Sequence, residues 1–199
     1  MEKNEAFEVL IEDITLEGEG IGKVNGYPLF IKDAVIGDRI RGIVTKAKKN
    51  YGYGRLLEIL EPSPDRVEPK CPVARQCGGC QLQAMSYEKQ LAFKETKIRS
   101  NLARIGGITE YEMEPVMGME KPYFYRNKAQ FPVGKSKDGR IVIGFYAGRT
   151  HSIIETAQCY INHPVNVQIV AAVRQFLEEN QIAPYDEVTH TGLVRHILT

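Results

Sequence analysis

Residues 18–38 read GEGIGKVNGYPLFIKDAVIGD, and the alternation of glycine-marked turns with short apolar runs decides the fold class of the first third of the chain. Gly18, Gly20, Gly22 and Gly26 are read as turn or bulge points, and Leu29-Phe30-Ile31 as a strand. Working outward, Phe7, Val9, Ile11 and Ile14 give a near-alternating first strand, and residues 39–46 and 55–60 supply two more. About five short strands at close spacing predict a small barrel of the OB type over residues 1–61, a fold whose face commonly takes single-stranded nucleic acid. The glycine series is not a phosphate cradle: Glu17 and Glu19 would repel an anion, and no helix follows.

Downstream, Pro62, Pro64 and Pro69 form a stiff connector into CPVARQCGGC, residues 71–80. That run holds Cys71, Cys77 and Cys80, and Cys159 completes the chain's four cysteines. A Cys-x-x-Cys turn aims two sulfurs at one centre, and Gly78-Gly79 lets the backbone wrap close to it. Structural zinc usually brings two short knuckles, and a thioredoxin-like motif follows a βαβ unit. On spacing alone an iron–sulfur cluster, structural zinc and a disulfide or redox pair all stay open.

Ser86 caps a predicted helix with Leu91, Ile98, Leu102 and Ile105 on its apolar face and Gly106-Gly107 at its end. Lys94, Lys97, Arg99 and Arg104 fall on its solvated side. Strands return from Lys128 as KAQFPV, an SKDG turn, RIVIGFY and HSIIE, so Cys159 ends a β-meander. Pro164 opens a second helix that is read as burying Val165, Ile169, Val173, Phe176 and Leu177. His163 reads as a cap, and His151, His190 and His196 lack a partner at ligand spacing. The final TGLVRHILT alternates like a strand whose partner is missing, which predicts an N-terminal piece of a longer protein. The fold class expected is β-rich α+β: the barrel, then a mixed α/β domain over residues 62–199, incomplete at its C-terminal end. No nucleophile with a nearby base and no nucleotide loop is visible, so the chain shows binding equipment without a reaction centre.

With 199 residues, 43% hydrophobic and 26% charged, the chain has the composition of an ordinary globular protein. No stretch has the length of a membrane span, and MEKNEAFEVL lacks an apolar signal core. The location expected is cytoplasmic, without a membrane partner, and there reduced thiols favour metal ligation over disulfides. A net charge of +1 is uninformative, but local charge is not. Residues 39–55 carry Arg39, Arg41, Lys46, Lys48, Lys49 and Arg55 without an acid, with Tyr51 and Tyr53 interleaved. Residues 121–149 carry Lys121, Arg126, Lys128, Lys135, Lys137, Arg140 and Arg149 among Tyr123, Phe124 and Tyr125, with Asp138 the only acid. Either stretch alone reads as a solvated strand face with core aromatics. Together they point toward RNA or single-stranded nucleic acid, since cations neutralise phosphates and rings stack on unpaired bases.

The motif order is the glycine-rich barrel, then CPVARQCGGCQLQAMSYEKQLAFK, YRNKAQF, GFY, Cys159 and GLVRHI. It resembles, over the entire chain, the N-terminal part of the RNA (uracil-5)-methyltransferases that carry a TRAM domain and an iron–sulfur cluster, chiefly the 23S rRNA enzymes. The CGGCQLQ string and the cysteine spacing are its most specific elements. The resemblance implies that Cys71, Cys77, Cys80 and Cys159 hold a [4Fe-4S] cluster, and that barrel and following domain bind RNA. Candidate RNA contacts are Arg39, Arg41, Lys46, Lys48, Lys49 and Tyr51 in the barrel, and Arg126, Lys128 and Gln130 beyond it.

In that family a cysteine thiolate adds to C6 of a flipped-out uracil, C5 takes the methyl group of S-adenosylmethionine, and a carboxylate base removes the C5 proton. Those groups lie in a C-terminal Rossmann-like domain that this sequence lacks, and no catalytic or cofactor-binding residue is assigned here. The 199-residue chain alone is therefore expected to be inactive and not to bind S-adenosylmethionine, which belongs to the full-length protein. Four thiolates leave no iron open, so the cluster is read as scaffold. A monomer acting on RNA is expected. Alternatives are a stand-alone iron–sulfur or zinc RNA-binding module and a tRNA (uracil-5)-methyltransferase. A radical S-adenosylmethionine enzyme would use a Cys-x3-Cys-x2-Cys triad with the barrel last.

Overall fold

The computed structural model describes residues 1–148 and 150–199; Arg149, one of the basic residues noted above, lies outside the described residues. Two compact units are present: Met1–Pro69 with Gln81–Met117, and Lys70–Cys80 with Gly118–Thr199. The first helix falls in the barrel's unit and the cysteine loop in the other. Among the described residues no helix is long and apolar enough to cross a membrane.

In the first unit the strands are β1 (Ala6–Leu10), β2 (Asp13–Ile14), β3 (Gly20–Val24), β4 (Tyr27–Lys32), β5 (Arg39–Ala47) and β6 (Gly52–Glu61). They form one six-stranded sheet in the order β1-β5-β6-β4-β3-β2. Only the β4–β6 pairing is parallel. Strand alternation turns Phe7, Val9, Leu29, Ile31, Ile40 and Val44 into one buried cluster. Gly20 and Gly22, read above as turn or bulge points, belong to β3, which Gly20 opens. A Cβ on Gly22 would stand 2.6 Å from a Val9 methyl and 2.7 Å from the Leu10 carbonyl, so glycine lets the sheet curl until β1 meets β3.

The proline connector is not a spacer but a clamp. Asp38 is fully buried, accepting from Val35 N–H (2.7 Å), Ser63 N–H (2.9 Å) and the Arg66 guanidinium (2.6 Å). Arg66 also donates to the Asp33 carbonyl at 2.8 Å. Burial by itself would raise the Asp38 pKa; the hydrogen bonds from Arg66, Ser63 and Val35 outweigh it and hold the carboxyl below its ordinary value.

Helix α1 (Tyr87–Arg104) starts where Ser86 caps it, the hydroxyl accepting from Lys89 N–H at 3.3 Å. Its buried residue is Phe93, which joins Ile14, Val35 and Met85 in a second cluster. The predicted apolar face packs only in part: Leu91 and Leu102 are half-buried, whereas Ile98 is 48% and Ile105 83% exposed. The helix seats on the barrel through the turn around Phe93, with Lys97 reaching Asp13 at 3.9 Å.

The second unit contains β7 (Gln130–Lys135), β8 (Ile141–Tyr146), β9 (Ile153–Glu155), β10 (His196–Leu198) and helix α2 (Pro164–Glu179). Its antiparallel sheet has the order β10-β7-β8-β9. The terminal strand thus has a partner within the chain, His196 opposite Pro132, contrary to the expectation that it was missing. The SKDG turn forms, with Gly139 at φ 85°. Phe131, Val133, Ile143, Val170, Leu177 and Ile197 make the core. In α2 the buried positions are Asn166, Val170 and Leu177, whereas the predicted Val165, Ile169 and Phe176 are exposed. Leu177 of the predicted set is buried and Val173 is half-buried against the core, while Asn166 and Val170 take the inward positions in the first two turns. His163 caps α2, its Nδ1 accepting from Val165 N–H at 3.3 Å.

Candidate metal centre and nucleic-acid interface

All four cysteines are half-buried thiols of the second unit. The loop after Cys71 is a compact turn, with Ala74 N–H on the Cys71 carbonyl (3.1 Å) and Cys77 N–H on the Val73 carbonyl (2.8 Å). Gly78 N–H donates to the Tyr146 carbonyl at 2.9 Å and Cys77 bridges Ala147, which docks the CGGC turn on the end of β8. A Cβ on Gly78 would lie 3.0 Å from that same carbonyl, so this close approach needs glycine. Gly79 N–H points at Cys77 Sγ at 3.4 Å, which orients that sulfur within the turn.

A separate ladder positions Cys159. Phe124 N–H donates to the Tyr160 carbonyl (2.9 Å), Arg126 N–H to Ile161 (2.9 Å) and His163 N–H to Arg126 (2.8 Å). Lys70 then links the two ends: its ammonium lies 4.6 Å from the Tyr123 ring, 5.6 Å from Phe124 and 5.7 Å from Tyr160. Lys70 precedes Cys71 and Tyr160 follows Cys159, so this aromatic cage joins ligand-bearing segments far apart in sequence. The donor chemistry suits a thiolate-bound centre. The sulfurs, however, are not preassembled: among the described residues no group of three or more His, Cys, Asp or Glu side chains stands ready to hold a metal ion. Nearby, Asn162 Oδ1 and Asn166 Nδ2 are buried without a hydrogen-bond partner among the described residues.

The basic residues of the barrel divide into two groups. Arg41 sits between Glu8 (2.9 Å) and Glu58 (2.8 Å), and Arg39 faces Glu61 at 3.4 Å. The Glu8 hydrogen bond, then the charges of Glu58 and Glu8, raise the Arg41 pKa further. Lys46, Lys48 and Lys49, around the β5–β6 hairpin, are exposed and form no ion pair among the described residues. Beside them Phe30, Tyr51 and Tyr53 form a three-ring cluster, with centroids 5.7, 5.7 and 5.9 Å apart. Tyr27 fixes the hairpin, its hydroxyl accepting from Lys48 N–H at 3.1 Å and donating to the Tyr51 carbonyl. Phe30 was absent from the sequence candidates because it sat within a short apolar run. Its signal was the period of two: Leu29 and Ile31 point in, so Phe30 points out.

Arg126, Lys128 and Gln130 are exposed, alternating with buried Ala129 and Phe131 further along the segment. Inward and outward positions alternate only from Lys128 to Phe131, since Asn127 is exposed as well. Tyr123 and Phe124, by contrast, are occupied with Lys70.

Residues 2–57 match the family model of the TRAM domain. Over 196 residues the chain is 48% identical to an uncharacterized RNA methyltransferase of Halalkalibacterium halodurans, covering 98% of this chain and 43% of that protein. An uncharacterized RNA methyltransferase of Clostridium tetani is 44% identical over 198 residues, covering 100% of this chain and 43% of the relative. Among solved structures, the tRNA (uracil-54, C5)-methyltransferase of Pyrococcus abyssi, in complex with S-adenosyl-L-homocysteine, superposes with a TM-score of 0.63 at 25% identity. That match covers 96% of this chain and 42% of the other. The chain spans less than half the length of these relatives. It thus carries a TRAM domain and is homologous, along nearly its whole length, to RNA methyltransferases.

Proposed function

We propose that this chain is the RNA-recognition and metal-bearing part of an S-adenosylmethionine-dependent RNA (uracil-5)-methyltransferase that acts on 23S rRNA. The observation that carries the proposal is the ring cluster of Phe30, Tyr51 and Tyr53, flanked by Lys46, Lys48 and Lys49, on a TRAM barrel in a chain similar throughout to RNA methyltransferases. Rings of this kind stack on unpaired bases while ammonium groups follow the phosphates. Arg126, Lys128 and Gln130 extend the RNA-contacting set, and Arg39 and Arg41 join it by exchanging carboxylate partners for phosphate.

Cys71, Cys77, Cys80 and Cys159 would hold a [4Fe-4S] cluster. Bound there, it supplies a covalent cross-link between the docked CGGC turn and the segment leading into α2. The Lys70 cage keeps the Cys71 and Cys159 segments adjacent. None of these residues acts on uracil. The nucleophile, the base and the S-adenosylmethionine pocket belong to the full-length protein, and this polypeptide by itself is inactive. It works as a cytoplasmic monomer on RNA.

Methylation mapping of RNA from cells lacking the full-length gene tests the assignment. Loss of a 5-methyluridine in 23S rRNA supports it. Loss confined to transfer RNA would establish a second reading, favoured by the tRNA enzyme among the structural neighbours. Unchanged methylation in both would overturn the enzyme assignment. Absorbance of anaerobically purified protein near roughly 400 nm reports thiolate-ligated iron; a colourless zinc protein would replace the cluster with structural zinc.

A further inference from the structure

The sheet of the second unit has two faces, and only one is spent on its core. Phe131, Val133, Ile143 and Ile197 pack with Val170 and Leu177 of α2. By strand alternation Pro132, Tyr146 and His196 belong to the opposite side, which opens into a cavity of about 590 Å³. Register brings these residues together: His196 lies opposite Pro132, and β7 lies between β10 and β8. The Gly78-Gly79 turn forms part of the rim, where Gly78 meets the Tyr146 carbonyl.

Aromatic surface dominates the cavity. Tyr146 stacks on His151 with centroids 5.2 Å apart at 26°, and His196 meets Tyr146 edge-on at 6.4 Å and 84°. Pro132 adds apolar lining, and Gln130 contributes an amide able to donate and accept at once. No carboxylate lines the cavity among the described residues. Glu187, nearest in the network, is tied to His151 Nδ1 (3.0 Å) and to Arg195 (2.8 Å). Gln130 is also the last member of the exposed row Arg126, Lys128 and Gln130. Gln130 opens β7, and the exposed cations Arg126 and Lys128 stand in the segment that leads into it.

We propose that this cavity is a binding subsite for an unpaired nucleobase of the substrate RNA, held by stacking on the Tyr146–His151–His196 aromatic wall and read by the Gln130 amide. The phosphates on one side of that base lie along Lys128 and Arg126. The volume is within the range of small-ligand sites and the wall is sequence-tolerant stacking surface, while the single amide gives it a hydrogen-bonding preference. This proposal rests on the RNA-binding reading above but concerns a different surface from the barrel's ring cluster.

The test uses the intact protein and a single-stranded RNA oligonucleotide carrying 2-aminopurine, whose fluorescence falls on stacking. Tyr146→Ala should weaken binding by roughly 5- to 150-fold, the range for loss of one stacked base, and relieve the quenching. Tyr146→Phe should bind within about threefold of the parent, because the ring and not the hydroxyl is required. His196→Ala should lie between them. Circular dichroism on each variant identifies misfolding, and His196→Ala decides the matter should Tyr146→Ala fail to fold. Parent-like binding and quenching by both alanine variants would overturn the subsite while leaving RNA binding intact. So would equal losses in Tyr146→Ala and Tyr146→Phe, or an equal loss of Tyr146→Ala on a fully paired duplex. If the parent protein itself binds none of these RNAs, the RNA-recognition reading fails and the subsite with it.

Discussion

The two units are held together by different means. In the barrel unit Leu29, Ile31, Ile40 and Val44 have no solvent exposure at all, and a buried Asp38–Arg66 pair clamps the exit of the last strand. The sheet unit is stitched more loosely. Its best-buried apolar side chain is Ile143 at 2%, it buries the unpartnered amide atoms of Asn162 and Asn166, and Lys70 is gripped by three rings. Each unsatisfied buried amide atom costs about 1–3 kcal/mol. All four cysteines lie in this second unit.

The strongest way to break this contrast is Cys159→Ala. Bound iron should fall by roughly tenfold or more, since a site built from distant segments depends on every ligand. Amide exchange should then accelerate across residues 70–80 and 159–163 while residues 6–61 keep their protection. Normal iron content in that variant would refute the cross-link. A second, smaller effect is expected on the other side of the comparison. Arg66→Ala leaves a buried carboxylate unpaired and should cost about 3–5 kcal/mol in urea unfolding of the barrel unit.

That pair also sets an acid limit. The Asp38 pKa is depressed in the folded chain, so protons bind more readily to the unfolded one. Its contribution is complete above the ordinary carboxylate pKa of about 4 and drains away as pH falls below it toward the folded value. An acid titration of barrel stability should show this loss, and Asp38→Asn, already weakened, should show a flatter acid limb.

Effects on RNA binding are smaller and sharpen the division within the barrel. Replacing Lys46, Lys48 and Lys49 together by alanine should reduce the slope of log affinity against log salt by about 2, the value for three phosphate contacts to a single strand. Tyr51→Ala should weaken binding by several-fold with little change in that slope, because stacking releases no counterions. Arg41→Ala should have the least effect, less than about threefold, since its guanidinium must leave Glu8 and Glu58 before it can reach a phosphate. A slope unchanged in the triple variant would move the RNA track away from the hairpin.

Local chemistry was legible residue by residue. Ser86 and His163 cap the helices they precede, the SKDG turn closes on Gly139, and the alternation of Phe7, Val9, Leu29 and Ile31 points these side chains into the barrel. These features depend on neighbours a few positions away, which is why a sequence carries them. The helix faces were less legible. Both helices hold more apolar residues than they bury, and the choice of Phe93 over Ile98, or of Val170 over Ile169, is made by the surface each helix meets.

By itself, then, the sequence determined the strand pattern, the caps, the number and type of sulfur donors, and the likeness to RNA methyltransferases. Tertiary structure alone decided that Gly20 and Gly22 belong to a strand, because the reason is a clash with Val9, Leu10, Ile11 and Ala34 across the curled sheet. It alone decided that Arg66 answers Asp38, that Lys70 bridges the segments of Cys71 and Cys159, and that Arg41 is held by Glu8 and Glu58. Charges and rings find partners by distance in space, and neither composition nor spacing records which distant carboxylate or ring will be within reach.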